Sequence, residues 1–343
     1  MANQETQKLD NIIASRRAML LGGGAALAAL AVPSVAKAAT TVSTYTDADI
    51  LNFALNLEYL EANFYYEAAF GTNIFTSNSA STAAGAAVLG ITGSGTQGSV
   101  TVKSNAQVPF ADPRVKSYAI ETANEEGKHV TFLRTALGSG AVAMPAINLT
   151  ASFNTLANTA GIAPAFDPFA SDANFLVGAY IFEDVGVTAY KGAAPLISTS
   201  SQGKTYLQAA AGILAVEAYH AGLIRTTINN LDPTGALGYI EMTRKVSALR
   251  AMLSKAVAPT SPAYPTTTYG DDVPLTPGTQ TVSLAGGSAV TATTIADADQ
   301  TNYIAFSRNT TQVLNIVTGG GAATTGTKAT GLFFPSGLNG TFV

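Results

Sequence analysis

The sequence predicts a mainly α-helical protein built on a four-helix bundle, and two observations support this. Four segments of about 22 to 30 residues repeat apolar side chains every three to four positions, between residues that commonly start and stop helices. Both histidines of the chain, His129 and His220, follow a glutamate by three positions within two of these segments. Helices of matched length, roughly 33 to 45 Å at about 1.5 Å per residue, suit a bundle.

Capping residues set the expected limits of these helices. Asp112 precedes Pro113, a residue favoured at the first helical position, and Pro195 ends the third segment. About eight residues join the third and fourth helices, which predicts antiparallel neighbours, whereas 33 residues after the second helix are enough to cross the bundle. The four helices are predicted over residues 46–71, 112–138, 171–194 and 201–231.

The remaining segments predict additions to the bundle. Residues 72–111 are rich in Gly, Ser and Thr and indicate an excursion with a short strand pair around residues 100–102. A fifth helix is expected over residues 237–257, followed by a Thr/Gly-rich C-terminal satellite with a hairpin at 279–293 and a short helix at 299–317. The predicted domains are a signal peptide (1–38), a helical bundle (46–257) and a C-terminal extension packed on the bundle (258–343).

Composition excludes several classes of site. The chain has 343 residues, 18 basic and 22 acidic side chains, a formal net charge of −4 and no cysteine. Without cysteine there is no disulfide, thiolate nucleophile, iron–sulfur cluster or cysteine zinc site. The chain lacks a basic run, so we expect no nucleic-acid partner. Charged residues make up only 12%, so a charge inside an apolar helix is a candidate for function.

Residues 1–38 have the three-part layout of a signal peptide. The pair Arg16-Arg17 precedes a weakly hydrophobic stretch over residues 21–35, and small residues precede Ala39. A twin arginine in this position is typical of the bacterial twin-arginine export signal. An uncleaved membrane anchor is the alternative, but the apolar run is shorter than the ~20 residues of a span. We expect a periplasmic or otherwise exported protein that contacts the export machinery and keeps no stable membrane span after cleavage.

Two Glu-x-x-His motifs are the strongest chemical signal. They are Glu126 with His129 in the second helix and Glu217 with His220 in the fourth. Three residues along a helix correspond to about −60° of rotation and 4.5 Å of rise, so each pair points to one side and can hold one metal ion.

The first and third helices carry a second matched signal. Glu58 is followed after seven residues by Tyr65, and Glu183 by Tyr190. Seven residues return to nearly the same helix face, about 20° away. The first two helices therefore align with the third and fourth as a diverged duplication of a two-helix unit. If the two units fold together with pseudo-twofold symmetry, four carboxylates and two imidazoles come together.

The same alignment pairs Arg134 with Arg225, each downstream of a Glu-x-x-His motif. We interpret these arginines as partners of the helix dipole or of carboxylates near the ligands.

The ligand pattern resembles a known superfamily. One glutamate from each of two helices, with Glu-x-x-His from each of the other two, is the ligand set of ferritin-like di-iron and di-manganese proteins. The strings LNFALNLEYLEANFYYEA, AFSRNTTQVLNIV and GLFFPSGLNG further resemble exported ferritin-like-domain proteins related to the plant desiccation-related family. The long insertion after the first helix and the Thr/Gly-rich tail depart from cage-forming ferritins.

The resemblance implies a ferritin-like bundle with two iron or two manganese ions, zinc being an inert occupant. Its implied bridging ligands are Glu126 and Glu217, and its implied terminal ligands are Glu58 and Glu183. His129 and His220 would bind one ion each. Tyr65 and Tyr190 are candidate catalytic residues, as hydrogen-bond donors to a ligand or as a radical sink, with core aromatic side chains as the alternative.

Alternatives remain at two ligand positions and for the function. Glu61 shares a face with Glu58 and can replace it, and Glu125 can replace Glu126. The whole cluster can also be a structural polar network. One expected function is an exported redox enzyme acting on hydrogen peroxide or dioxygen, catalase-like or ferroxidase-like. The other is a non-catalytic stress or desiccation-related structural protein. A homo-oligomer is compatible with either.

Overall fold

The structure, a computed structural model, describes the chain from residue 45 onward. The described residues are 45–76, 88–254, 270–276, 280–282, 290–292, 295–299, 302–321 and 328–342. They belong to the compact unit Tyr45–Val343. The predicted signal peptide lies outside the described residues, and the division into three segments stays a prediction.

Helices dominate the described residues. They are α1 (Asp47–Phe70), α2 (Pro113–Leu137), α3 (Ala151–Thr159), α4 (Asp172–Tyr180), α5 (Glu183–Ala193), α6 (Ser201–Leu231), α7 (Tyr239–Leu253) and α8 (Thr310–Thr318). The short strands are β1 (Val100–Thr101), β2 (Ile147–Asn148), β3 (Gln280–Val282) and β4 (Val290–Ala292). This confirms the predicted fold class, a helical bundle made of α1, α2, α4 with α5, and α6, to which α7 adds the expected fifth helix.

The first two helices end at their predicted caps. Thr46 and Asp49 form a capping box at the start of α1, and the chain leaves this helix at Gly71 with a φ of 66°. At the start of α2 the Asp112 carboxylate accepts the Arg114 backbone N–H over 2.8 Å. Local sequence signals are therefore sufficient to place both helices.

The third bundle helix differs from its prediction because it stops at Tyr180 and restarts at Glu183. Arg250 on α7 donates from Nη1 to the Tyr180 carbonyl oxygen over 2.7 Å, an oxygen that a continuous helix would use for its own ladder. At the break, the Phe182 N–H donates to the carbonyl oxygen of Ala179, three residues earlier, which is the tighter spacing of a 3₁₀ turn. A side chain inserted into the ladder explains the break, which places Glu183 at the start of α5.

The long connection after α2 crosses the bundle. Asn52, near the start of α1, donates to the carbonyl of Gly140, just after α2, so these helices are antiparallel. The Asp172 carboxylate at the start of α4 accepts the backbone N–H groups of Ala111 and Asp112 at the start of α2. The connection therefore returns the chain to the end of the bundle where α2 begins.

The predicted local strand pair near residue 100 is wrong in its partner. The strand β1 is present, but it pairs in parallel with β2, Val100 lying opposite Ile147. The partner comes from the crossover connection, so no turn between adjacent strands announces it in the sequence.

The predicted helix at residues 299–317 is wrong in its first half. Described residues 302–309 lie outside any helix, and α8 begins only at Thr310, where Asn309 and Gln312 form a capping box. The hairpin is present, because β3 pairs antiparallel with β4 and Thr281 lies opposite Thr291. Residues 255–257 of the predicted fifth helix lie outside the described residues.

Two buried arginines connect the bundle to the C-terminal segment. Arg250 Nε lies 2.8 Å from Asp272 Oδ2, and Arg308 Nε lies 2.8 Å from Asp271 Oδ2. Arg308 Nη2 also reaches Asp272 Oδ2 at 3.1 Å, and its Nη1 donates to the Thr188 hydroxyl on α5 over 3.0 Å. All four side chains are at most 7% exposed, so these charges are compensated within the protein.

Among the described residues, α6 is long and apolar enough to cross a membrane by length and composition. One such helix is weak evidence for a span. The helix carries the buried ionisable side chains of Glu217, His220 and Arg225.

Candidate metal centre

The six residues predicted as metal ligands lie together inside the bundle. The helices α1 and α5 contribute one glutamate each, and α2 and α6 contribute a glutamate and a histidine each. The four glutamates are at most 1% exposed, and the histidines are 8% and 5% exposed. We call these residues the Glu–His cluster: Glu58, Glu126, His129, Glu183, Glu217 and His220.

One group of donor atoms surrounds His129. Its Nδ1 lies 3.2 Å from Glu58 Oε2, 3.3 Å from Glu126 Oε2 and 3.8 Å from Glu217 Oε1. One donor atom from each of these four residues lies within 4.8 Å of the other three. Three carboxylates and an imidazole at this separation can surround one ion.

A second group surrounds His220 and shares one residue with the first. His220 Nδ1 lies 3.1 Å from Glu126 Oε1 and 3.2 Å from Glu183 Oε2. The two oxygens of Glu126 thus face different histidines, Oε2 towards His129 and Oε1 towards His220. One carboxylate that faces two donor groups is the arrangement a two-ion centre needs.

Several donor atoms of the cluster make no hydrogen bond of good geometry in the described part of the chain, although some lie within ion-pair distance of one another. Buried polar atoms are nearly always paired in folded proteins, so each exception needs a physical reason. Here they all face the same small region and are oxygen or imidazole donors, which fits a metal site. These atoms are Glu126 Oε1, Glu183 Oε2, both carboxylate oxygens of Glu217, and His220 Nδ1.

Burial and mutual charge shift the pKa values of the carboxyl groups in opposite directions. Burial raises the pKa of Glu58 to about 7, and burial with nearby carboxylates raises that of Glu217 well above its usual range. Burial also acts to raise the pKa of Glu126, but the two neighbouring imidazolium groups outweigh it and lower that pKa. Glu126 is therefore the carboxylate that stays ionised most readily.

The pKa values of both histidines are raised as well. Burial opposes the charged form of each ring, but the surrounding carboxylates outweigh it. Glu58 and Glu126 raise the pKa of His129 to about 11, and Glu183 and Glu126 raise that of His220 to about 12. Without metal, two imidazolium groups hold the carboxylates together, and a metal ion has to displace their protons.

Two tyrosines link the halves of the cluster reciprocally. Tyr65 on α1 donates its hydroxyl to Glu183 on α5, and Tyr190 on α5 donates to Glu58 on α1. Burial and nearby carboxylates raise the pKa of both phenols well above the usual value, so they remain protonated donors. The catalytic role predicted for them stays a prediction, but both contact a predicted ligand.

Comparison with known families agrees with this geometry. The ferritin-like domain family matches residues 46–230, a span that includes the whole Glu–His cluster. This chain belongs to the ferritin-like domain family. The matched span covers both Glu-x-x-His motifs, on α2 and α6.

Two curated relatives of this ferritin-like protein have informative names. Desiccation-related protein PCC13-62 of Craterostigma plantagineum is 31% identical over 217 residues, which cover 61% of this chain and 62% of the relative. Ferritin-like catalase Nec2 of Nesocodon mauritianus is 27% identical over 216 residues, which cover 61% and 63%. The chain therefore spans about three fifths of the length of these relatives. No solved structure matches it significantly.

The two alternative ligands lie outside the ferritin-like donor groups. Glu61 is buried, and burial with the neighbouring carboxylates raises its pKa well above the usual value, but neither donor group includes it. Glu125 faces His220 from the other side, its Oε2 lying 2.7 Å from Nε2. With Nδ1 directed at Glu126 and Glu183, the Nε2–H donates to Glu125 and fixes the orientation of the ring.

Sequence reasoning missed Gly186, three residues after Glu183 on α5. A Cβ atom at this position would lie 2.2 Å from Glu217 Oε2, so any other residue would force the Glu217 carboxylate out of its present position. The internal duplication contains a signal for this position, because Gly186 aligns with Glu61 in the other half. At this position the first half has the buried side chain of Glu61, whereas in the second half the absence of a side chain leaves the space to the Glu217 carboxylate.

Proposed function

We propose that this protein holds two iron or two manganese ions in its Glu–His cluster and reacts with hydrogen peroxide or dioxygen, in a catalase-like or ferroxidase-like manner. The observation that carries the proposal is the pair of donor groups that share Glu126 and contain buried donor atoms without well-formed hydrogen bonds. The relative named a ferritin-like catalase supports the choice of peroxide as a substrate.

The residue types favour particular ions. Four glutamates can supply four negative charges, which balance two divalent ions and stabilise more oxidised states. Hard oxygen donors with only two imidazoles favour iron or manganese over copper, with zinc as an inert occupant. When bound by these residues, a pair of such ions would supply electron transfer to and from oxygen species.

The protein side of the centre positions carboxylates and protons. Tyr65 and Tyr190 hold Glu183 and Glu58 through their hydroxyl groups, and both keep their protons. Glu125 orients the His220 ring from the outer side. These contacts fix the terminal ligands while the shared Glu126 faces both donor groups.

The relative named a desiccation-related protein favours a second candidate, a structural stress protein without turnover. In that case the cluster would stabilise the bundle, with or without metal. The two candidates differ in whether a metal-loaded protein decomposes peroxide or consumes dioxygen.

Export through the twin-arginine machinery into a bacterial periplasm is part of the proposal. It rests on residues 1–38, whose Arg16-Arg17 pair and apolar stretch match such a signal. Replacing both arginines, Arg16→Lys with Arg17→Lys, should leave the protein in the cytoplasm. Unchanged export of the double variant would contradict this part of the proposal.

The metal content of the mature chain tests the central claim. Iron, manganese and zinc per chain would be measured in the parent, in a Glu126→Ala, His129→Ala variant, and in Glu121→Ala, which changes an exposed glutamate on the same helix. We expect about two ions in the parent and the control and a large loss in the double variant. Peroxide and dioxygen consumption by the loaded parent then separates the redox enzyme from the structural protein. A parent without stoichiometric metal would overturn the metalloprotein proposal.

A further inference from the structure

A cleft beside α2 contains a half-buried arginine, at a distance along the helix from the Glu–His cluster. The cleft has a volume of about 310 Å³. Arg134, in the last turn of α2, is its charged residue. We call it the Arg134 cleft; it is lined by Val88, Leu89, Gly90, Thr131, Arg134 and Thr135.

The acceptors that Arg134 uses are both neutral. Its Nη1 donates to the hydroxyl of Tyr59, and its Nη2 donates to the Thr92 carbonyl oxygen over 2.7 Å. Burial raises the pKa of the Tyr59 phenol, despite the opposing effect of Arg134, so this hydroxyl supplies no negative charge. The guanidinium has five N–H groups, so donors remain beyond these two bonds.

No carboxylate pairs with Arg134 in the part of the chain that the structure describes. Residues 77–87, which precede the cleft in the sequence, contain no Asp or Glu. The dipole of α2 offers about half a negative charge at its C-terminal end. The charge of Arg134 is thus only partly compensated.

In the other half of the duplication, the equivalent arginine has a carboxylate partner. Arg225 aligns with Arg134, and its Nη1 lies 2.8 Å from the buried carboxylate of Asp184. Asp184 aligns with Tyr59, since each directly follows a glutamate of the cluster. The second half therefore supplies its own anion to the arginine, and the first half has a neutral phenol in that place.

The Nε and Nη2 edge of the guanidinium lies beside Gly90. A Cβ atom on Gly90 would stand 3.4 Å from Arg134 Nε and 3.5 Å from Nη2, which is van der Waals contact. Because residue 90 is glycine, no side chain of this residue covers these two nitrogens. Nε and Nη2 form the edge of a guanidinium that binds two oxygens of one carboxylate or phosphate.

We propose that the Arg134 cleft binds a small oxyanion that offers two oxygens to the Nε and Nη2 edge of Arg134. A carboxylate or a phosphate group meets this description, and the volume of the cleft suits a small molecule. This site is separate from the metal centre, and its ligand would supply the negative charge that Asp184 supplies to Arg225.

Calorimetric titration of the purified protein with inorganic phosphate, and separately with acetate, tests the proposal at constant ionic strength. The variants are Arg134→Gln, which removes the charge, and Arg134→Lys, which keeps the charge but loses the two-nitrogen edge. Lys128→Gln removes an exposed charge from the same helix and is the matched control. We expect one saturable site in the parent, at least tenfold weaker binding in Arg134→Gln, partial weakening in Arg134→Lys, and binding within twofold of the parent in the control.

Two further variants distinguish binding in the cleft from a general loss of folding and from binding at the metal centre. Gly90→Val fills the space beside the guanidinium and leaves every charge in place, so it should weaken binding even if Arg134→Gln alters the fold. The Glu126→Ala, His129→Ala variant removes metal ligands and should keep the anion site. Binding of one probe and not the other identifies the oxyanion class. Absence of saturable binding of both probes, or undiminished binding in Arg134→Gln and Gly90→Val, would overturn the proposal.

Discussion

Gly186 illustrates how one missing methyl group shapes the centre. The Glu217 carboxylate occupies the space that a side chain on α5 would fill. Because Glu217 belongs to the donor group around His129, its position determines whether three carboxylates can approach one point. The requirement is steric and local, so it does not depend on which ion is bound.

Gly186→Ala should therefore lower the metal content without loss of helical structure. Alanine is favoured over glycine in helix interiors by about 1 kcal/mol, but its Cβ would force the Glu217 side chain away. We expect at least a tenfold weaker affinity for manganese(II), measured by equilibrium dialysis, with unchanged far-UV circular dichroism. Gly212→Ala on α6 is the control, because nothing lies within 4 Å of the added Cβ. Equal affinities in both variants would contradict this role of Gly186.

The hydroxyl groups of Tyr65 and Tyr190 can be removed one at a time to test whether they stabilise the cluster. Tyr65→Phe and Tyr190→Phe each remove one hydroxyl and leave a buried carboxylate with one hydrogen bond fewer. We expect each variant of the metal-free protein to lose about 1–3 kcal/mol of unfolding free energy, measured in urea. Exposed Tyr303→Phe should change it by less than about 0.5 kcal/mol. A neutral effect of both buried changes would mean that the hydroxyls do not hold the terminal glutamates.

The histidines predict the pH dependence of the metal-free protein. The pKa of His129 is raised from 6.5 to about 11 in the folded protein. Because the folded value lies above the unfolded one, this stabilisation is complete below about pH 6.5 and is lost as the pH rises towards 11. Urea unfolding between pH 6 and 10 should show falling stability, with a shallower slope in His129→Gln. A stability that rises over this interval would contradict the assignment.

At the scale of elements, the break between α4 and α5 depends on residues far away in the sequence. Arg250 on α7 takes the Tyr180 carbonyl out of the helical ladder and pairs with Asp184 on the other side of the break. The caps of α1 and α2 are local, so the sequence predicts them; this contact joins residues 70 positions apart, so the sequence predicts a continuous helix instead. The partner of β1 escaped prediction for the same reason.

Arg250→Gln should be strongly destabilising. Asp184 would keep Arg225 and Asp272 would keep Arg308, but the buried network would be one positive charge short. Breaking a buried ion pair in this way commonly costs about 3–5 kcal/mol. Arg114→Gln removes an arginine from a pair in which that side chain is 79% exposed, and solvent screening should make this change far less costly than Arg250→Gln. Chemical denaturation of both variants gives the comparison. Similar losses in the two would show that the buried network does not anchor α7.

At the scale of the whole molecule, Asn339 joins the C-terminal segment to the bundle. Its backbone N–H donates to Asn56 Oδ1 over 3.0 Å, and Asn56 Nδ2 returns a bond to the Asn339 carbonyl over 2.8 Å. The Asn339 side chain also donates to the carbonyl oxygens of Thr96 and Ala143. Four separate parts of the chain thus meet at one residue.

Asn339→Ala should release this junction. The change leaves the buried carbonyl of Ala143 and the part-buried carbonyl of Thr96 without their donor, which we expect to lower the unfolding free energy by about 1–3 kcal/mol. Asn302→Ala, at an exposed position in the same C-terminal part, should be nearly neutral. Thermal unfolding monitored by circular dichroism gives the difference. If both variants melt at the parent's temperature, the junction does not contribute to stability.

The sequence predicts that the residues of the Glu–His cluster come together because the internal repeat doubles their signal. It predicts the surroundings of the cluster less well because they are not repeated. Glu58 and Glu183 are revealed by each other, as are the two Glu-x-x-His motifs. The bond from His220 to Glu125 has no counterpart, since Val216 stands in the equivalent place. Because this contact occurs in only one half, comparing the two halves of the sequence could not reveal it.

The internal duplication has a consequence for how such a protein can evolve. In a homodimer of two-helix units, every mutation would appear twice and alter both sides of the centre together. In this chain the two units are encoded separately, so selection can act on either one. Tyr59 and Asp184 show the outcome, because these equivalent positions beside matching glutamates have diverged within one molecule. Two units encoded in one chain thus allow one half of a symmetric centre to acquire properties that the other half lacks.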